Sequence, residues 1–143
     1  MLRHAIRRAA TTQHTHNKHT HKAFTRPKSS FLTAYHEHLN KRKLNNIVPL
    51  PLDAPQVAQL TKLLENPPKD EADDLLHLIE QRVPPGVDEA AYVKAAWLTA
   101  IVDKNVSSPL VSRVRAVELL GTMQGGYNVA SLVKALDDAE LAP

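Results

Sequence analysis

The chain has 143 residues, 43% of them apolar, with no cysteine and a formal net charge of +3. That is one domain's worth of chain. The missing cysteines exclude disulfides, thiolate zinc sites, catalytic thiols and Cys-held iron–sulfur clusters within it, and no apolar run approaches the ~20 residues of a membrane span.

The charge is unevenly placed. Residues 1–30 hold seven Lys/Arg and no acid, while residues 31–143 hold eleven Lys/Arg against fifteen acids, a net of −4. The alkaline isoelectric point therefore belongs to the tail and is no argument for nucleic-acid binding by the body. The tail "MLRHAIRRAATTQHTHNKHTHKAFTRPKSS" has Leu2, Ile6 and Ala9 on one side of a short helix, with Arg3, Arg7 and Arg8 mostly on the other. A cationic amphipathic start without acids is the composition of a mitochondrial presequence, and it lacks the apolar centre of a secretory signal. Residues 1–30 are accordingly expected to be a disordered presequence and the protein to reach the mitochondrial matrix. Two other readings compete. His14, His16, His19 and His21 could ligate a metal but fit a low-complexity polar tract better. The basic arm could grip RNA phosphates, but it has only Phe24 for stacking.

From residue 31 the pattern becomes helical. Leu32, Tyr35, Leu39 and Leu44 mark a weak amphipathic helix ending near Asn45 and Asn46, followed by the link "IVPLP". In "LDAPQVAQL" Asp53 is an N-cap and Gln56 completes a capping box. Leu52 and Val57 make a hydrophobic staple, and Pro55 sits in the first turn. That helix should stop before Pro67 and Pro68. The next is expected from Asp70 or Glu71, with Glu71, Asp73 and Asp74 in its first turn, where the helix dipole favours acids. "VDEAAYVKAAWLTAIV" repeats the device with Val87 as staple and Asp88 as cap; Tyr92 and Trp97 are read as core, a partner surface being the lesser alternative. A further helix is capped by Ser112. Tyr127 then precedes Asn128 as Val87 precedes Asp88, with Asn128 read as the cap and Gly125–Gly126 just past a helix end, where left-handed backbone is needed.

The corner thus occurs three times, as "LDAPQVAQL", "VDEAAYVKA" and "YNVASLVKA", the last two offset by forty residues with Gly86 matching Gly126 and Lys94 matching Lys134. Helix–turn–helix periods of about 35–47 residues are the mark of HEAT-like solenoids. The expected fold is all-α, an array of five or six helices over residues 31–143 with structural corners at Asp53, Gly86, Asp88, Gly125, Gly126 and Asn128. The glycine pair is no phosphate loop, for no strand precedes it and no GxxxxGK[ST] pattern surrounds it. His77, between Asp73 and Glu80, is the nearest approach to a base or metal ligand and reads better as a surface histidine. No catalytic, cofactor-binding or metal residue is assigned.

The blocks "QRVPPGVDEAAYVKAAWLTAI", "AVELLGTMQGGYNV" and "ALDDAELAP", with "PLDA" at 51–54 and "NPP" at 66–68, resemble the N-terminal region of the bacterial-type aconitate hydratase B family. The resemblance covers the body from about Phe31 to Pro143. It implies a HEAT-like domain used for protein contacts, either self-association or packing beside the catalytic domains near the route to the active site. It also implies a citric acid cycle lyase that interconverts citrate and isocitrate through cis-aconitate. The four-iron, four-sulfur cluster of that chemistry is held by three cysteines much later in the family's chain, so no cluster ligand carries over. Ending at Pro143, the chain is expected to be a fragment or partial product. A free-standing helical adaptor, or a subunit of a mitochondrial assembly derived from that domain, is the alternative, and an RNA-binding regulator a more distant one.

Overall fold

The computed structural model describes residues 28–141, and among these there are six helices and no strand: α1 Ser30–Leu44, α2 Ala54–Glu65, α3 Ala72–Gln81, α4 Glu89–Val102, α5 Arg113–Gly121 and α6 Val129–Ala135. The expected presequence covers 1–30; its residues 1–27, with the histidine tract, lie outside the described residues, and 28–30 lie within them. Lys28 pairs with Asp74 and the Ser29 hydroxyl caps α1, which begins two residues before the position read from its apolar spacing.

The helices form two layers. α2, α4 and α6 lie side by side in one; α3 packs on α2 and α5 on α4 as the second member of each hairpin. One apolar core runs between the layers, built from Leu60 and Leu64 of α2, Leu75 and Ile79 of α3, Leu98 and Ile101 of α4 and Leu120 of α5, with Leu32 and Tyr35 of α1 closing its first end. Fully burying one such leucine is worth about 1.5–3 kcal/mol. Ion pairs stitch neighbours in the array: Arg115 of α5 donates to Glu80 of α3 at 2.8 Å, and Lys134 of α6 meets Asp103 at the end of α4 at 2.7 Å.

Two expectations need correction. α3 starts at Ala72, and Glu71 makes no capping bond. Its side chain is buried, with Oε1 accepting from the backbone N–H of Ser29, so it ties α1 to α3 rather than facing solvent. Leu44 lies at the end of α1, 85% exposed, and takes no part in the core.

Candidate functional site: a ridge of three corners

The helices α2, α4 and α6 begin at the same edge of the array, so the three corners come to lie in a row. At the first, the Asp53 carboxylate accepts from the Gln56 N–H at 2.8 Å and the Gln56 side chain accepts from the Asp53 N–H at 3.0 Å, a complete capping box. At the second, Asp88 accepts from the Ala91 N–H at 2.9 Å. Backbone hydrogen bonds join adjacent corners: Leu52 N–H to the Arg82 carbonyl at 2.9 Å, and Gln124 N–H to the Pro85 carbonyl at 3.0 Å. The bends are ranked side by side and bonded to one another, which fixes the spacing of the helices behind them.

The third corner is built differently. Asn128 has helical backbone angles and makes no capping bond to α6. Its buried amide instead donates to the Leu120 and Met123 carbonyls, at 2.7 and 3.1 Å. It therefore adds a side-chain donor for two carbonyls at the end of α5, where helical N–H partners thin out; that of Leu120 also accepts from the Met123 N–H at 3.1 Å. The expectation that Asn128 caps the helix it precedes is corrected accordingly. Gly125 and Gly126 take positive φ, +105° and +83°, whereas Gly86, which matches Gly126 in sequence, is not among the left-handed residues. At Gly125 a Cβ would meet Tyr127 Cε1 at 2.7 Å and Val87 Cγ1 at 3.0 Å. The ring of Tyr127 packs there because no side chain intervenes, and its hydroxyl donates to the Gly86 carbonyl across the corner. Burial pushes the Tyr127 phenol up, with the Asp88 carboxylate adding to the effect.

The positions just before the cap and four residues into the helix tell the corners apart. Leu52 and Val57 are both buried. Their counterparts Val87 and Tyr92 are 77% and 60% exposed, and Tyr127 and Leu132 are half-buried. Tyr92 is therefore no core residue. Five residues along a helix turn about 140°, so it cannot share a face with Trp97, which is buried and donates to Glu65 at 3.1 Å. Tyr92 stands edge-on to Tyr127, ring centroids 5.8 Å apart and planes at 86°. Val87, Tyr92 and Tyr127, with Pro85 and the glycine pair, make a preformed apolar patch on the ridge.

Nothing on this surface resembles a reaction centre. His77 is exposed on α3. Among the described residues no group of three His, Asp or Glu side chains is placed to hold a metal, and no helix is long and apolar enough to cross a membrane. Two functional-looking groups escaped the sequence reading. Arg82 spans the first two corners: its guanidinium donates to the Tyr35 hydroxyl at 3.0 Å and to the Pro49 and Leu50 carbonyls at 3.0 and 2.9 Å. Lys94 is buried on α4, where loss of solvent pushes its ammonium below the ordinary lysine value despite the opposing pull of Glu80. A lysine between Val93 and Ala95 gives no such signal, although its match with Lys134 marked it as part of the repeat.

Residues 34–143 match the Aconitate B N-terminal domain family. The chain belongs to it. Aconitate hydratase B of Pseudomonas aeruginosa is 60% identical over 111 residues, and that of Escherichia coli 56% over 112, each covering 78% of this chain. The Synechocystis protein of the same name is 55% identical over 105 residues, 73% of this chain. The chain spans 12–13% of the length of these aconitate hydratase B relatives. All of them are bacterial, and bacteria have no mitochondrial matrix. The expectation of a matrix protein, drawn from the basic tail, is corrected on that ground.

Proposed function

We propose that this chain serves as the non-catalytic N-terminal domain of an aconitase-B-type hydro-lyase and docks through its corner ridge onto the catalytic part. The observation that carries the reading is the outward-facing pair Val87 and Tyr92. The same two positions are turned inward at the first corner, so the apolar surface at the second is available to a partner. Tyrosines in preformed apolar patches are frequent anchors of protein interfaces. Gly125 and the Tyr127–Gly86 bond hold the patch in shape before anything binds, which lowers the ordering cost of association.

The chemistry of the whole relatives would interconvert citrate and isocitrate on a four-iron, four-sulfur cluster held by thiolates. With no cysteine in these 143 residues, the donor set for that cluster is not supplied here, and no step of the reaction is assigned to this chain. Its contribution is positional. The test mixes the purified chain with the Pseudomonas aeruginosa relative shortened by the stretch it matches, the fold of each checked by circular dichroism. Association in sedimentation is expected, weakened about tenfold or more when Val87 and Tyr92 are both replaced by Asp, since two apolar anchors are lost. Turnover of cis-aconitate by the chain alone would overturn the reading, and so would an association indifferent to the double substitution.

A further inference from the structure

At the opposite end of the array from α6, α1 and the link after it form a second apolar surface. Leu44 and Val48 are 85% and 78% exposed, and Ile47 and Leu50 are exposed beside them. Between α1 and the link lies a groove of about 600 Å³ lined by Leu39, Asn40, Lys43, Ile47, Val48 and Pro49. Polar bonds hold it open. The Arg42 guanidinium donates twice to the Val48 carbonyl, at 3.0 and 2.7 Å. Ile47 N–H returns to the Arg42 carbonyl at 3.0 Å, and Leu50 N–H donates to His38 Nε2 at 3.3 Å. The backbone of the link is satisfied by α1, and its apolar side chains are left pointing away from the core.

The one charged residue lining the groove is Lys43. Lys41 and Arg42 precede it on α1, and the acid on that helix, Glu37, lies about a turn before Asn40. We propose that this groove binds an acidic amphipathic helix of a separate protein, its apolar side chains in the trough and its carboxylates toward Lys43 and the neighbouring cations. A concave trough with amide groups at its edge suits a helix laid into it. The excess of positive charge at the Lys41–Lys43 end favours acidic segments over basic ones, an effect on partner choice more than on raw affinity. The proposal goes beyond the docking role above and is independent of it: the groove belongs to α1, whereas Val87 and Tyr92 belong to the second corner.

A random peptide library displayed on phage, panned on the intact chain and depleted on V48D, tests it. Survivors are expected to carry apolar residues at i, i+3 or i+4 and i+7 with Asp or Glu between them. Their synthetic versions should bind V48D and K43E about tenfold more weakly than the parent chain while all three proteins melt alike; both positions are exposed, so neither change removes core packing. Basic or patternless survivors would overturn the proposal. Survivors that bind V48D as well as the parent would do the same, as would binding of the chain to phosphatidylcholine–phosphatidylserine vesicles that is lost in V48D, which would make the surface a lipid contact instead.

Discussion

Asn128 and Asp88 occupy the same place in two aligned corners yet use opposite hydrogen-bonding chemistry. Asp88 accepts from an N–H at the start of α4, a task Asn performs nearly as well. Asn128 donates to two carbonyls at the end of α5, a task an ionised Asp cannot perform at all. Asp88→Asn should therefore cost a few tenths of a kcal/mol. Asn128→Asp should cost about 1–3 kcal/mol or more, because it sets a carboxylate against buried carbonyls. Urea titrations of the two variants measure the difference, and equal losses would refute the assignment. Lys94 carries the other residue-scale prediction. Its folded-state value lies below its unfolded 10.5 because burial disfavours the ammonium. It therefore opposes folding at neutral pH, and the opposition is relieved as pH climbs from the folded value toward the unfolded one. Lys94→Met should stabilise the domain by about 1–3 kcal/mol at pH 7 and flatten the rise in stability of the parent chain over that alkaline window. A destabilised Met variant would show that the ammonium is held by more than Glu80.

At the scale of elements, the caps, prolines and apolar spacings made most of the fold legible. Asp53 with Gln56, Asp88 and Ser112 all cap the helices they precede. The orientation of each corner was not legible, because it depends on which side of the bend meets the neighbouring hairpin. Hence Val87, read as a staple, and Tyr92, read as core with a partner surface as the lesser alternative, turn out to be exposed and form the candidate docking patch. Arg82 was invisible for a related reason: its partners Tyr35, Pro49 and Leu50 lie 32 to 47 residues away along the chain, beyond any local pattern. Its fork binds three acceptors at once, which a lysine ammonium on a flexible stem cannot reproduce with the same geometry. Arg82→Lys should lower stability by about 1–2 kcal/mol. It should also speed amide exchange at Leu52, whose N–H bonds to the Arg82 carbonyl, while leaving the α5 amides unchanged. Exchange that accelerates evenly across the domain would mean that Arg82 does not act on the corner locally.

Over the whole molecule, an array of stacked hairpins is stabilised by nearest-neighbour contacts, so stability grows with the number of filled interfaces. α4 packs against α2, α5 and α6, whereas α6 packs mainly on α4 and α5 and leaves Val129, Val133 and, just past its end, Leu136 exposed. The end network holds the last described residues by charge: Arg113 donates to the Val102 carbonyl at 2.8 Å and pairs with Asp138, and Lys104 meets Glu140 at 3.0 Å. The Arg113 guanidinium holds the Asp138 carboxyl below its usual range, and Lys104, with Arg113 behind it, does the same for Glu140. A carboxylate lowered in the folded state contributes above its unfolded value and ceases to do so as pH falls through the folded one. Acid should thus release the α6 end before the rest. Because these groups are open to solvent, the contribution is small and salt should screen it. The chain alone is expected to melt below ~65 °C. Its hydrogen exchange should be slowest in α4 and fastest in α6, with the contrast widening between pH 5 and pH 3 after correction for intrinsic rates. Uniform protection along the chain would mean that the hairpins fold as one unit and that α6 is not the weak end of the stack.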